Sequence, residues 1–287
     1  MVAVLQVISL IENTGRVNRK DLHTEHGLAL FIRADNQQIL FDTGSSGRFQ
    51  QNAQKLNVNI AQVNLTVLSH HHSDHGGGLA ALLQANRETQ VYLKHSGTEK
   101  FSLDIFGLLR RQVGLDESLL QAHPDRFILV NQFSEIAPNV FIITKINRRH
   151  TMPKGNRYLF MDTGSRKRLD DFEHELILVI KQSAGLVVFT GCSHQGILNM
   201  LDAVLEHFPG QPIQAVFGGL HLIDLPLINN LAGSRDDIEK LGQALLKYPI
   251  EKMYTGHCTG TQAYRILKQV MGAKLDYFAT GDQAQVD

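Results

Sequence analysis

The sequence predicts an α/β fold in which sheets are covered by helices. Short apolar runs rich in Val, Ile and Phe recur at strand length, bounded by turn residues. The early half shows several such strands before its first clear helix, whereas the late half alternates strand and helix. This order favours helix-covered sheets over a β-sandwich or a helical bundle. No linker or low-complexity run interrupts the chain, so residues 1–287 are expected to form a single domain.

The individual elements follow from apolar periodicity. Strands are predicted at residues 2–11, 28–33, 38–42, 65–69, 140–144, 176–181, 185–190, 213–217 and 253–255. Amphipathic helices are predicted at residues 196–208, 236–248 and 260–271. The segment 96–123 is expected to form a helical lid over a substrate, or part of the core.

Composition excludes several classes of protein. The 28 Lys and Arg residues balance 28 Asp and Glu residues, which argues against a surface that coats nucleic acid or anionic membrane. No apolar stretch approaches the roughly 18 residues of a membrane span, and the first residues lack the basic region of a signal peptide. Two cysteines, Cys192 and Cys258, cannot form a disulfide framework, so a reducing, cytoplasmic location is expected.

The most informative stretch is TVLSHHHSDHGGGL, residues 66–79, in which a strand runs into a histidine cluster and three glycines. Alternate side chains of an extended segment point the same way, so His70 and His72 are expected on one metal. Asp74 and His75, past the turn, are expected on a second metal. His71 should point away from both. Imidazole and carboxylate ligands at this density suit zinc, manganese or iron.

This stretch resembles the H-x-H-x-D-H signature of the metallo-β-lactamase superfamily. QQILFDTG, LVVFTGCSHQG and MYTGHCTG resemble later pieces of the same pattern, in order along the chain. GCSHQGI, GGLHL and GHCTG, with EHGLALFI and DDFEHELILVI, are similar to the branch of the dihydropterin ribofuranosylaminobenzene 5'-phosphate synthases. The resemblance covers essentially all 287 residues. It implies a four-layer αββα sandwich with a binuclear metal centre at one edge of the two sheets.

The resemblance also implies roles for later residues. Cys192 stands where most of the superfamily has a bridging Asp; its thiolate either ligates metal and favours softer ions, or is a buried inert thiol. His194 and His257 are expected to be metal ligands. His221 is open between metal ligand, general acid and substrate contact, and is taken as catalytic together with Asp74, which would orient the attacking hydroxide.

Other polar residues are expected either to hold a metal ligand in place or to have no role in the site. Asp42 should hold a ligating imidazole rather than bind metal. His174, in the acidic stretch DDFEHE, is expected to be a partly exposed residue at a strand start. The remaining histidines without motif context are treated as surface or core residues: His23, His26, His95, His123, His150 and His207.

A basic segment, residues 145–168, holds eight Lys or Arg residues and one acidic residue. Arg148 and Arg149 within it are candidates to bind a substrate phosphate, against the alternative of a solvated loop.

Together these features imply a metallo-hydrolase in which metal-activated hydroxide attacks a phosphoester or related small molecule. Two zinc ions are the expected cofactors, with manganese or iron as alternatives. A pterin-transferring synthase acting on a phosphorylated ribosyl-aminobenzene compound stays open, as does an iron-dependent oxidoreductase on the same fold. A binding protein on an inactive fold is disfavoured because the first-motif residues are intact. A nuclease is a minor alternative because the chain has no spare length for an RNA-binding arm, so no nucleic-acid partner is expected.

Overall fold

The computed structural model describes residues 4–94, 99–164, 166–224 and 230–287. Its strands, numbered in chain order, are β1 Leu5–Ile11, β2 Ala29–Ala34, β3 Gln37–Phe41, β4 Leu65–Val67, β5 Gln90–Lys94, β6 Lys100–Ile105, β7 Leu109–Gln112, β8 Phe127–Val130, β9 Ser134–Ala137, β10 Val140–Ile143, β11 Leu159–Asp162, β12 Lys167–Leu169, β13 Ile177–Gln182, β14 Gly185–Phe189, β15 Ile213–Phe217, β16 Ile250–Thr255, β17 Leu275–Tyr277 and β18 Gln283–Val286. Its α-helices are α1 Arg48–Lys55, α2 Ser73–Gly76, α3 Leu79–Ala85, α4 Glu117–Ala122, α5 Ile197–His207, α6 Arg235–Leu245 and α7 Thr261–Met271. Short 3₁₀ turns lie at Ile60–Gln62, Pro124–Arg126, Lys154–Tyr158, His257–Thr259 and Gly272–Lys274.

Two seven-stranded sheets form the centre of the fold. The first has the order β18-β1-β2-β3-β4-β5-β8 and the second the order β17-β16-β15-β14-β13-β10-β9. Each sheet is antiparallel on one side and parallel on the other, with β3, β4, β5 and β8 parallel in the first and β14 to β17 parallel in the second.

Successive side chains of a strand point to opposite faces of its sheet, and each face packs against a different layer of the fold. In β13, Leu178 and Ile180 pack into the core between the two sheets, whereas Ile177 and Val179 pack on the opposite face against helices. The same alternation in β2 sends Ile32 inward and Phe31 outward. Because both faces of each sheet are apolar, each needs a covering layer.

Helices supply those outer layers. α1 and α3 cover the first sheet, and α5, α6 and α7 cover the second. α6 begins with a capping box, in which the Ser234 side chain accepts from the Asp237 N–H and the Asp237 side chain accepts from the Ser234 N–H. The result is the predicted four-layer αββα arrangement. No helix in the described ranges is both long and apolar enough to cross a membrane.

All nine predicted strands and all three predicted helices are present, with ends shifted by a few residues. The helical lid predicted at residues 96–123 is wrong. Within the part of it that the structure describes, β6 and β7 form a hairpin and only α4 is a helix. β6 pairs with β11, more than fifty residues later in the chain, in a third sheet with the order β12-β11-β6-β7. This long-range pairing overrides the local periodicity. Residues 95–98, including His95, lie outside the described residues.

The parallel halves of the two sheets determine where polar side chains meet. The histidine cluster follows β4 and Asp42 follows β3, its parallel neighbour. Cys192, His221 and His257 follow β14, β15 and β16, which are parallel to one another. Since parallel strands end at one edge of a sheet, these residues gather at the edge of the sandwich.

Candidate metal centre

Hydrogen bonds to Asp42 hold the loop between β4 and α2. The Asp42 carboxylate accepts hydrogen bonds from the Ser69 backbone N–H at 2.7 Å and from the Ser69 hydroxyl at 2.8 Å. Asp42 itself adopts a left-handed backbone conformation, with φ of 62°. The carboxylate therefore sets the direction in which the chain enters the histidine cluster.

His70, His72 and His194 form a three-histidine group. The centroids of their rings are 4.7 to 4.9 Å apart. All three Nε2 atoms are buried and make no hydrogen bond to any residue the structure describes. The nearest acidic neighbour of His72 is Asp170, whose Oδ2 lies 3.5 Å from His72 Nε2. Three buried Nε2 atoms without hydrogen-bond partners are costly unless a ligand is present.

Asp74, His75, Cys192 and His257 form a second group, called here the Asp74 group. His75 Nε2 lies 3.1 Å from both Cys192 Sγ and His257 Nε2. Asp74 Oδ2 lies 3.2 Å from His257 Nε2 and 3.8 Å from His75 Nε2. Cys192 Sγ also lies within 4.8 Å of ligand atoms of His70 and His194, so it stands between the two groups.

Hydrogen bonds on the far side of each ring fix its tautomer. His194 Nδ1 donates to Asn156 Oδ1 at 3.0 Å, and His257 Nδ1 donates to Asn13 Oδ1 at 2.8 Å. His75 Nδ1 donates to Asp42 Oδ2 at 2.7 Å. The Ser69 hydroxyl donates to Asp42, so it accepts from His70 Nδ1 at 2.9 Å. In each case Nε2 is left to bind a ligand, as in metal-binding histidines.

The charges of the two groups suit a cation. Burial lowers the pKa of His70, His72 and His194, so these rings are neutral, the form that binds metal. Burial also opposes protonation of His257, but its hydrogen bond with Asp74 and the nearby Cys258 raise its pKa to about 9. The protonated His257 therefore faces the ionised Asp74 carboxylate, and a bound cation would replace that proton.

The spacing of the Asp74 group fits one metal ion. Two ligand atoms at ~2.1 Å from a tetrahedral ion are about 3.4 Å apart, and the contacts among Asp74, His75, Cys192 and His257 span 3.1 to 3.8 Å. The residues present therefore fit a metal, and a thiolate in the set favours a soft or borderline ion such as zinc.

His221 and Cys258 border these groups. The His221 ring lies 4.1 Å, centroid to centroid, from the His194 ring. Both His221 ring nitrogens are buried and have no hydrogen-bond partner in the described ranges. The His221 backbone N–H donates to Cys258 Sγ at 3.3 Å. The structure thus places the His221 ring beside the three-histidine group.

The neighbouring histidines divide as the alternation predicts, with one correction. His71 turns away from the groups, and its Nε2 contacts the Lys94 carbonyl oxygen at 2.8 Å. His174 is not partly exposed as predicted; it is buried, because Phe101 packs on its ring at 4.2 Å. Its Nδ1 accepts from the His71 N–H and its Nε2 contacts Asp170 at 3.1 Å. Both its nitrogens are therefore engaged.

The basic segment is largely neutralised by acidic neighbours. Arg148 pairs with Glu173 at 3.0 Å and Arg149 pairs with Glu206 at 2.5 Å. Four further cations of the segment pair with acidic side chains: Lys154, Arg157, Lys167 and Arg168. Phosphate binding by Arg148 and Arg149 stays a prediction, and it now requires exchange of these ion pairs.

Sequence reasoning missed several residues that touch the site. Asn13 and Asn156 hold His257 and His194, and Asp170 lies between His72 and His174. Glu12 accepts the His257 backbone N–H, and His26 lies 3.3 Å from Asp74. The one local signal was that Glu12 and Asn13 directly follow the buried strand β1.

A second buried carboxylate supports the loop that carries Cys192 and His194. Glu175 accepts backbone N–H groups of His194 and Gln195, both at 2.8 Å. Burial raises its pKa to about 8 despite these two bonds. Glu175 therefore fixes the loop backbone, whereas Asn156 fixes the ring.

Comparison with known proteins agrees with this geometry. A 7,8-dihydropterin-6-methyl-4-(beta-D-ribofuranosyl)-aminobenzene-5'-phosphate synthase of Methanocaldococcus jannaschii is 28% identical over 273 residues, which cover 90% of this chain and 89% of that protein. The crystal structure of a metal-dependent hydrolase of the β-lactamase superfamily is 30% identical, with a TM-score of 0.81 over 99% of both chains. YhfI of Bacillus subtilis, at 12% identity and a TM-score of 0.59 over 99% of both chains, shares the fold.

The family model of the metallo-beta-lactamase superfamily matches residues 24–257, which include the three-histidine group and the Asp74 group. With that match and a 30% identical relative over nearly the whole length, the chain belongs to the metallo-β-lactamase superfamily.

Proposed function

We propose that this protein is a metal-dependent hydrolase that cleaves a phosphoester or a related small-molecule substrate. The observation that carries the proposal is the pair of adjacent ligand sets with Cys192 between them, one with three unpaired Nε2 atoms and one at tetrahedral spacing. Divalent metals, when bound in such sets, act as Lewis acids and lower the pKa of coordinated water. Two zinc ions are the proposed occupants.

Asp74 is proposed to orient the attacking water. Burial raises the pKa of Asp74, but His75 and the hydrogen bond with His257 hold it well below its ordinary value, so the carboxylate is ionised. Its side chain is 20% exposed, whereas those of His75 and His257 are almost fully buried. An ionised carboxylate at the open side of the site can accept the hydrogen of a water molecule and aim its oxygen.

His221 is proposed to protonate the leaving group. Its ring lies 4.1 Å, centroid to centroid, from the His194 ring, and its ring nitrogens have no hydrogen-bond partner among the described residues. An imidazole at this place can act as a general acid toward a departing oxygen. Arg148 and Arg149, 38% and 59% exposed, are proposed to bind the substrate phosphate.

A second candidate function is supported by the M. jannaschii relative, whose name describes a synthase. In that case the same residues would join a phosphorylated ribosyl-aminobenzene compound to a pterin. The two candidates differ in the acceptor, because water takes the group in hydrolysis and a second organic molecule takes it in synthesis.

The test uses full-length protein purified without chelator and a panel of phosphoesters in water enriched in ¹⁸O. Hydrolysis is supported if one ¹⁸O atom enters the product and Asp74→Asn lowers kcat about 10²-fold or more. His207→Gln, at the end of α5 with its ring stacked on Phe133, is the control and should retain activity. Turnover that requires a pterin acceptor and brings no ¹⁸O into the product would support the synthase instead.

A further inference from the structure

We propose that Cys192, His221 and Cys258 form a separate binding site for a thiophilic cation. One ligand atom of each of these residues lies within 4.8 Å of the other two, and both sulfurs are buried. This set, called here the cysteine cluster, shares Cys192 with the Asp74 group but adds a second sulfur and a different imidazole. The site shares Cys192 and His221 with the proposed hydrolytic site, but its failure would leave that function untouched, because Cys258 takes no part in the proposed reaction.

The His221 ring is the first argument. Its two nitrogens are buried and find no hydrogen-bond partner in the described ranges. A buried imidazole nitrogen without a hydrogen-bond partner is destabilising, so a native structure retains one where a ligand uses it. The His221 backbone adopts φ of 48°, a left-handed conformation that a non-glycine residue rarely takes. The loop after β15 therefore presents this ring at a conformational cost.

The packing of the loops around Cys258 is the second argument. Cys258 Sγ accepts the His221 backbone N–H at 3.3 Å and donates to the Cys192 carbonyl oxygen at 3.6 Å. A Cβ atom on Gly219 would lie 2.3 Å from Cys258 Sγ, so only glycine lets the β15 loop approach the sulfur. Three strand ends are thus brought together around two sulfurs and one imidazole.

The chemistry of the donor set selects the ligand. Two thiolates and one imidazole suit zinc, cadmium or copper(I), whereas magnesium and manganese prefer oxygen. Both sulfurs bind as thiolates, so any thiol proton is released to solvent, and no oxidant or reductant is required. A cation here would occupy the ring that the proposed reaction uses as acid, so excess thiophilic metal is expected to inhibit the enzyme.

The test is a titration with Cd²⁺ of the protein as purified, with its resident metals. Bound cadmium is measured by equilibrium dialysis, and sulfur-to-cadmium charge transfer is measured by ultraviolet absorption. Wild-type protein should bind one cadmium with charge transfer from two sulfurs. C258S should lose about half of that absorption, and its Kd for Cd²⁺ should rise about tenfold or more.

Two further variants separate ligation from loss of fold. H221Q should raise the Kd for Cd²⁺ but retain the full absorption at saturation, because both sulfurs remain. H207Q, whose ring stacks on Phe133, is the matched control and should match wild type. If C258S and H221Q bind Cd²⁺ as wild type does, the proposal is wrong. It is also wrong if thiol titration of unfolded, unreduced protein finds no free sulfur, because Cys192 and Cys258 would then be joined.

Discussion

Asp42 Oδ2 lies 2.7 Å from His75 Nδ1 and 2.8 Å from the Ser69 hydroxyl, which in turn contacts His70 Nδ1 at 2.9 Å. One carboxylate therefore orients a histidine of the Asp74 group directly and a histidine of the three-histidine group through a serine. Burial of Asp42, His70 and His75 excludes water as a substitute for either contact.

We expect Asp42→Asn to weaken metal binding by ~10–100-fold, the usual cost of losing such an orienting partner. Asn tolerates the left-handed backbone at this position, so the loss reports the hydrogen bonds rather than strain. The measurement is metal retention against a chelator of known affinity. Asp35→Asn is the matched control, because Asp35 has φ of 49° in an exposed turn. Equal retention in both variants would contradict the role given to Asp42.

We expect His72→Ala to lower metal content and His71→Ala to leave it unchanged. His72 belongs to the three-histidine group, whereas His71 turns away to the Lys94 carbonyl oxygen. The measurement is metal per folded chain by elemental analysis, with circular dichroism to check folding. The reverse result would mean that the alternation of side chains is shifted by one residue, so that His71 and not His72 faces the metal.

How much of this site was predictable depends on how local each signal is. The histidine cluster lies within six positions after one strand, so period-two alternation separates His71 from His70 and His72. Cys192, His194 and His257 follow predicted strands, and strand ends meet at one edge. Their convergence follows from the fold class, although not their distances.

The supporting residues could not be predicted in this way. Asn156 is 38 positions from His194, and Asn13 is 244 positions from His257. Asn13 follows a buried strand, but nothing in the local sequence of either residue identifies its partner, because these contacts arise only when distant loops pack together. The β6–β7 hairpin escaped prediction for the same reason, because its pairing with β11 is supplied by the tertiary structure. The acidic neighbours of His174 predict partial exposure, whereas Phe101, from that hairpin, buries it.

We expect Asp237→Asn to destabilise the protein at neutral pH but not in acid. The hydrogen bond from Lys154, with those from Ser234, lowers the pKa of Asp237 from its ordinary value. A lowered carboxyl pKa gives stability that is present above the unfolded value, near 3.8, and is lost as pH falls through the folded value. The measurement is the urea midpoint of both proteins as a function of pH.

Asp236→Asn is the control for this effect. Asp236 also forms an ion pair on α6, with Lys240, but takes no part in the capping box. Its substitution should change the urea midpoint less, since exposed pairs contribute little. Equal shifts of the urea midpoint in the two variants at neutral pH would show that the capping box of α6 does not contribute to the stability of the protein.

We expect the double change of Arg148 and Arg149 to Glu to raise KM for a phosphorylated substrate about tenfold or more, with a smaller effect on kcat. An exposed ion pair is worth ~0.2–1 kcal/mol, whereas a charge-assisted contact is worth ~1.5–3 kcal/mol. A phosphate can therefore displace Glu173 and Glu206 from the two arginines with a net gain. The effect should shrink at high salt.

Arg235→Glu is the control for the arginine change. Arg235 lies on α6, outside the basic segment, and also pairs with a glutamate, at 2.6 Å. It should leave KM unchanged. If the double variant also leaves KM unchanged, the segment is a solvated surface and the phosphate is bound elsewhere.

We expect Cys192→Asp to shift metal preference from zinc toward manganese. Cys192 Sγ lies 3.1 Å from His75 Nε2 and stands between the two groups, so its chemistry affects both. Thiolate favours zinc, whereas carboxylate accepts harder ions. The ratio of zinc affinity to manganese affinity should therefore change by ~10-fold or more, which is at least the effect of losing a residue that orients a ligand. The measurement is the ratio of zinc to manganese bound after dialysis against equal concentrations of both. Cys192→Ser is the control, because a neutral hydroxyl should weaken binding of both ions. An unchanged ratio in Cys192→Asp would indicate that Cys192 is a buried thiol that does not ligate metal.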